Sequence, residues 1–351
     1  MSTVVAVDGG NSKTDLALLR EDGRLLSVVR GPLSSPHHLG VEGSLRVLEK
    51  LLDEAAAEAG VERGPAEVAD LAELLLAGVD FPAEEENFRA LVARRGWARR
   101  VSVRNDTFAV LRAGTERGWG VAVVCGAGIN CVGVAPDGRH ARFPALGPIS
   151  GDWGGGIDIG LAALSAAARS QDGRGPVTTL EREVPAHFGL ATPLEVTEAI
   201  HCRTIPMRRV AELAPIVFAE AADDPVAAGI VDRLAAEVVA FIRATLSRLE
   251  LEAEPVEVLL GGGLLQSGDR RLHAAIGQGL RAAAPEAIVH TDSSPPIVGA
   301  ALLALDDLGA GPEAQARARS ELAAAVESLR RPLADEIEPA RLNTSVDRAD
   351  G

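Results

Sequence analysis

The sequence predicts an α/β chain of two like domains that face one another. Three observations carry that expectation. A strand–glycine loop–strand unit opens the chain, the same unit returns about 115 residues later, and short apolar strands alternate with amphipathic helices throughout.

In the first unit, the β-branched run Val4-Val5-Ala6-Val7 ends at Asp8-Gly9-Gly10, passes through Asn11-Ser12-Lys13-Thr14, and resumes at Leu16-Ala17-Leu18-Leu19. Asp22-Gly23 then turns the chain into a third strand, Arg24-Leu25-Leu26-Ser27-Val28-Val29. The loop presents unobstructed backbone N–H groups, two hydroxyls and a cation. Such a loop wraps a phosphate, and a carboxylate at the strand end, Asp8, suits a hydrated Mg²⁺. An ordinary hairpin needs the same glycines for its turn alone. The second unit tips the balance. Gly120-Val121-Ala122-Val123-Val124-Cys125 leads through Gly126-Ala127-Gly128 into Ile129-Asn130-Cys131-Val132-Gly133-Val134, and Asp137-Gly138-Arg139 closes it as Asp22-Gly23-Arg24 closed the first. Two such loops approach one polyphosphate from opposite sides.

Composition narrows the class. The 351 residues leave room for two cores, with 47% apolar and 24% charged residues. A net charge of −15 argues against a nucleic-acid partner, because a phosphate backbone demands a basic face. Three scattered cysteines fit neither a disulfide framework nor a metal-ligand spacing, so a reducing, cytoplasmic setting is expected. The first apolar run is broken at Asp8 and no run is long enough to span a bilayer, so no membrane partner is expected.

Between the units, residues 31–40 read as a loop carrying His37 and His38. A helix is expected over 42–60, then a buried strand ending in Leu74-Leu75-Leu76 and reaching Asp80, and a helix over 83–95. The strand from Val101 ends at Asn105-Asp106. A carboxylate at the carboxyl end of a strand sits where α/β sheets keep their chemistry, although Asp106 also suits the cap of the next helix. Gly147 to Gly160 is glycine-dense around Asp152 and opens a helix over 157–169; Asp152 fits either a ligand contact or a cap. Residues 171–250 read as mostly helical. A third glycine loop, Gly261-Gly262-Gly263, follows the strand Val256–Leu260, a pattern suited to a base and its ribose. A last strand precedes helices over 297–305 and about 313–329, and a frayed tail is expected over 331–351.

Taken in order, these pieces resemble the actin-like ATPase superfamily, and within it the BadF/BadG-type ATPase branch that holds N-acetylglucosamine kinase. The resemblance spans about residues 1–330. It rests on Asp8-Gly9-Gly10 through Thr14, Asn105-Asp106-Thr107, Gly126 through Cys131, Gly151-Asp152 and Gly261-Gly262-Gly263. It implies two ribonuclease-H-like domains, 1–115 and 116–312, closing over MgATP and a sugar, with the helix over 313–330 packed back on the first. It further implies that Asp106 accepts the proton of a sugar hydroxyl and that Asp8 holds Mg²⁺ through water. Gly9, Gly10, Asn11, Ser12, Lys13, Thr14, Gly126 and Gly128 would cradle phosphates, and Gly261, Gly262 and Gly263 would line the adenosine pocket. His37, His38, Asn105, Asn130 and Asp152 would meet the sugar. The implied activity is ATP-dependent phosphorylation of an amino sugar, of N-acetylglucosamine or glucosamine type, by a homodimer. The alternatives are another small-sugar kinase, or an ATP-driven activator of a dehydratase, whose relatives share an iron–sulfur cluster between subunits. Three positions depart from the branch's pattern: Ala127 replaces a phosphate-binding threonine, Trp153 a glutamate and Pro36 a sugar-binding asparagine.

Overall fold

The computed structural model describes residues 2–62 and 67–330, and the expected tail over 331–351 lies outside them. The opening unit forms β1 (Thr3–Gly9), β2 (Lys13–Arg20) and β3 (Leu25–Pro32), paired antiparallel. Then β4 (Ala69–Leu76) and β5 (Ala98–Asn105) add in parallel, giving the order β3-β2-β1-β4-β5. The second unit repeats this plan. Antiparallel β6 (Gly120–Cys125), β7 (Ile129–Val134) and β8 (His140–Arg142) are followed by parallel β9 (Glu257–Gly261) and β10 (Ile288–Thr291), in the order β10-β9-β6-β7-β8. The internal repeat in the sequence is therefore a repeat of sheet topology. The central strands β1 and β4 are covered on both faces, so they read as nearly unbroken apolar runs.

The long α1 (Pro36–Glu58) starts earlier than the sequence suggested. Pro36 carries the backbone angle of a first helical residue, so a short turn holding His37 and His38 forms before a break at Gly40, where φ is 66°. Leu45, Leu48, Leu51 and Leu52 make the apolar stripe that buries this helix on the first sheet. Helix α2 (Pro82–Arg94) covers the same face through Phe88 and Val92. The other face of the first sheet is shared. Helices α3 (Thr107–Gly114) and α10 (Pro296–Asp307) lie between the sheets, in one buried cluster with Val4, Ala6 and Leu75 of the first sheet and Ala122, Val132 and Leu259 of the second. Helix α11 (Pro312–Arg330) joins this cluster through Ala318, Leu322 and Val326, and Glu321 accepts from the Leu25 amide at 2.8 Å.

The second sheet is backed by α8 (Pro225–Leu249) and α9 (Arg270–Ala283). The helical stretch before it comprises α4 (Gly155–Gln171), α5 (Leu180–His187), α6 (Pro193–His201) and α7 (Ala214–Glu220). No helix among the described residues is long and apolar enough to cross a membrane.

Candidate active site between the two sheets

A cleft of about 300 Å³ is lined by both sheets' loops. From the first come Asn11, Ser12, His37, Asp80, Asn105 and Asp106; from the second, Gly126, Ala127, Gly128 and Asn130. The two glycine bends thus open on one space, with Asp106 between them.

Each bend is held by backbone. In the first, the Gly10 amide donates to the Lys13 carbonyl at 2.9 Å, and the Ala77 amide donates to the Gly9 carbonyl at 2.7 Å. Asn11 and Ser12 stand exposed at its tip. Lys13 and Thr14, expected to face phosphate, each have a partner within the first half of the chain. The Lys13 ammonium sits 2.5 Å from Asp15, and the buried Thr14 hydroxyl donates to Ser34 Oγ at 2.8 Å. Asp15 is wholly buried; burial alone would raise its pKa, but hydrogen bonds from Arg30 and Lys13 outweigh it and hold the carboxylate ionised.

The second bend rests on the amino end of α4. The Gly156 and Ile157 amides donate to the Gly126 and Ala127 carbonyls at 2.8 and 3.1 Å. Gly155 has φ near +86°, and a Cβ there would stand 2.4 Å from the Gly128 Cα, so the close approach demands glycine. Gly155, at least, is therefore glycine for the sake of another backbone. Gly262 in the third loop, with φ near +83°, approaches the Cys125 backbone in the same way.

Asp106 sits at the end of β5 and does not cap α3; the Asn105 side chain takes that task by accepting from the Thr107 amide at 3.0 Å. Asn105 is saturated. Its amide nitrogen donates to Asp80 Oδ1 and the Val79 carbonyl, at 2.8 and 3.3 Å, and its oxygen accepts from Thr107 Oγ1 and from Asn130 Nδ2, at 2.6 and 3.3 Å. It was expected among the sugar contacts; instead it is a strut that ties β5 to β7. Asp152 is buried and accepts from Ser150 Oγ, and neither it nor the exposed His38 is among the cleft-lining residues. Trp153 carries the Arg233 guanidinium 3.9 Å above its ring.

Asp8 and Asp106 share an electrostatic problem. Burial pushes each up to about 7, with Lys13 opposing the rise at Asp8, and the charges of Asp106 and Asp80 adding to it at Asp8 and Asp106 respectively. Oxygen donors short of positive charge suit a hard cation. Among the described residues no group of three acidic, histidine or cysteine side chains could cage a metal. Cysteine chemistry is shut out at the second bend. Cys125 and Cys131 are buried, burial pushes both thiols up to about 12, and Cys131 Sγ contacts Thr245 Oγ1 at 3.2 Å.

The sequence did not single out Asp80, which lines the cleft, or the ion pair between Arg142 on β8 and Glu85 on α2. Asp80 carried the same signal as Asp106, an acid just beyond a buried parallel strand. The ion pair joins residues 57 apart and had no local signal.

Two repeated α/β sheets with paired glycine bends on one acidic cleft define a two-domain phosphate-binding fold of the actin-like ATPase kind. The particular family follows from sequence: the chain belongs to the BadF/BadG/BcrA/BcrD ATPase family, whose pattern matches residues 5–304. It is 29% identical over 269 residues to the N-acetylmuramic acid/N-acetylglucosamine kinase of Clostridium acetobutylicum, covering 76% of this chain and 87% of that one. It is 25% identical over 316 residues to the N-acetyl-D-glucosamine kinase of Dictyostelium discoideum, covering 86% and 97% of the two chains. The solved structure of a candidate N-acetylglucosamine kinase from Chromobacterium violaceum matches with TM-score 0.67 at 27% identity, over 86% of this chain and 99% of that one. A ROK family glucokinase from Streptomyces griseus, solved with glucose and AMPPNP, shares the fold at TM-score 0.52 and 18% identity, over 86% and 98%.

Proposed function

We propose that this chain is an ATP-dependent kinase that phosphorylates a hydroxyl of an amino sugar of the N-acetylglucosamine or glucosamine type. The observation that carries the reading is Asp106, a carboxylate at the cleft floor between two glycine bends. The kinase relatives of two different kingdoms support the substrate class.

In this reading Asn11 and Ser12, with the backbone of Gly9, Gly10, Gly126 and Gly128, hold the phosphates. Gly261, Gly262 and Gly263 face adenosine. Asp8 would hold a Mg²⁺ ion, which when bound would neutralise phosphate charge. His37 and Asn130 meet the sugar. Phosphoryl transfer passes through a loose transition state, so alignment and charge neutralisation outweigh base strength. Asp106 orients the hydroxyl toward the γ-phosphorus. As the new O–P bond forms and the bond to the ADP oxygen breaks, the hydroxyl proton passes to Asp106. Its raised pKa, about 7, makes it a better proton acceptor than an ordinary carboxylate while leaving it largely ionised above neutrality.

A dehydratase activator would need accessible cysteines near the second bend, and Cys131 is sealed in the core. The protein is expected to be cytoplasmic and to form a homodimer, which sedimentation velocity would test. The central test is a coupled ADP-release assay over a panel of acetylated and free amino sugars and plain hexoses. ADP release should depend on an amino sugar; release that is indifferent to every sugar overturns the reading.

A further inference from the structure

We propose that Asp80 is a second acceptor-binding carboxylate, which accepts a hydrogen bond from a sugar hydroxyl other than the one phosphorylated. The inference rests on the kinase reading above and adds a specificity-determining residue to it.

Asp80 follows β4 by four residues and its side chain is only 7% exposed, yet it lines the same cleft as Asp106. A carboxylate in such a place has its oxygens satisfied or faces a ligand. One oxygen is satisfied: Oδ1 accepts from Asn105 Nδ2 at 2.8 Å. The other is not. Oδ2 takes no hydrogen bond among the described residues, and Nε2 of the cleft-lining His37 stands 3.8 Å away, beyond hydrogen-bond length. The backbone leaves little freedom here, because Glu84 accepts from the Asp80 and Phe81 amides at 2.8 and 3.0 Å and pins the turn into α2. Asn105 in turn fixes the carboxyl plane. Burial, opposed by His37 and reinforced by Glu84, lifts Asp80 to about 6, so it is mostly ionised at neutral pH with one acceptor atom unspent.

The geometry separates two tasks. Asp106 follows β5 directly and addresses the reacting hydroxyl, while Asp80 lies four residues beyond the neighbouring β4 and is tied through Oδ1 to Asn105, the residue before Asp106. Both acids line one cleft, so a sugar seated there has hydroxyls besides the reacting one to offer Asp80. A preorganised carboxylate acceptor rejects an analogue that lacks the hydroxyl, because the oxygen is then left buried and unpaired.

The test uses the full chain and two variants, Asp80→Asn, which keeps the volume and the Asn105 contact, and Asp80→Ala. Circular dichroism first establishes that each is folded. For wild type and both variants, kcat and KM are read for N-acetylglucosamine and its 3-deoxy and 4-deoxy analogues, and KM for ATP. The proposal expects Asp80→Ala to raise the KM for N-acetylglucosamine about tenfold or more, with KM for ATP changed by less than about twofold. It also expects non-additivity: the analogue lacking the partner hydroxyl loses about tenfold in kcat/KM with wild type and almost nothing further with Asp80→Ala. Asp80→Asn should fall between. Equal sensitivity of wild type and Asp80→Ala to both deoxy sugars, or unchanged sugar KM in a folded variant, overturns the proposal. A wild-type enzyme with no sugar-dependent ADP release would instead overturn the kinase reading, and this proposal with it.

Discussion

The guanidinium of Arg142, on β8 at the edge of the second sheet, pairs with the carboxylate of Glu85 on α2, which covers the first. Both side chains are mostly buried, and Arg142 also has its carbonyl held by Arg248. The pair bridges the two halves beside the cleft. A lobe closure that excludes water from phosphoryl transfer would use such a tie.

Removing this tie should loosen closure. Arg142→Ala removes a charged, partly buried hydrogen bond worth about 1.5–3 kcal/mol, so the sugar KM should rise about tenfold. Small-angle scattering checks the cause: wild type should become more compact with saturating sugar, and the variant should need more sugar to do so. Equal compaction at equal sugar would mean that the pair does not report closure.

Asp106→Asn should abolish transfer, by about a thousandfold in kcat, with nucleotide affinity retained. Burial holds Asp106 at about 7, so wild-type transfer should decline as pH falls through the region at and below 7, where the carboxylate becomes a neutral acid unable to take the proton. Fluorescent-nucleotide titration alongside the coupled assay separates the two effects. A variant that phosphorylates sugar at near wild-type rate removes Asp106 from the mechanism.

Thr14 and Ser12 should behave oppositely although they are two residues apart. The Thr14 hydroxyl is buried on Ser34, so Thr14→Val should cost about 1 kcal/mol of stability and leave the KM for ATP within about twofold. Ser12 is exposed at the cleft, so Ser12→Ala should raise the KM for ATP and leave the melting temperature unchanged. Thermal unfolding and steady-state kinetics on both variants decide the matter.

Gly155→Ala should weaken ATP binding without touching a ligand directly. Its Cβ would enter the Gly128 backbone at 2.4 Å, in a backbone conformation costly for any L side chain, and the second bend must shift. We expect at least about a tenfold higher KM for ATP, with the sugar KM less affected. A nucleotide titration that matches wild type would show that the bend tolerates displacement.

Glu73 makes stability fall as pH rises. It is fully buried on β4, and Arg104 Nε lies 3.2 Å from its carboxylate. Burial raises its carboxyl to about 7 from 4.5, with Arg104 and a hydrogen bond from Ser102 opposing. The folded state therefore holds a proton that the unfolded chain gives up near 4.5, and stability is lost between about pH 4.5 and 7. The full loss is on the order of 3 kcal/mol. Glu73→Gln should flatten that dependence and melt higher than wild type at pH 8, with a smaller difference at pH 5. Parallel melting curves at both pH values would refute it.

The repeat of two strand–glycine–strand units, the strand-end acid Asp106 and the three glycine loops are legible in the sequence because each is local. Backbone period and glycine geometry are written within a dozen residues. The fate of individual side chains is not local. Lys13 and Thr14 look like phosphate ligands in the linear order, but Asp15 with Arg30, and Ser34 on another segment, claim them. Asn105 reads as a sugar contact until Asp80, Val79, Thr107 and Asn130 use all of its hydrogen-bonding capacity. The chain by itself determined which bends and strand ends exist. Only the packing of two sheets around α3 and α10 decided which polar atoms remained unspent in the cleft, because a hydrogen bond between distant segments is chosen by three-dimensional proximity and by the cost of burying any polar group left without a partner.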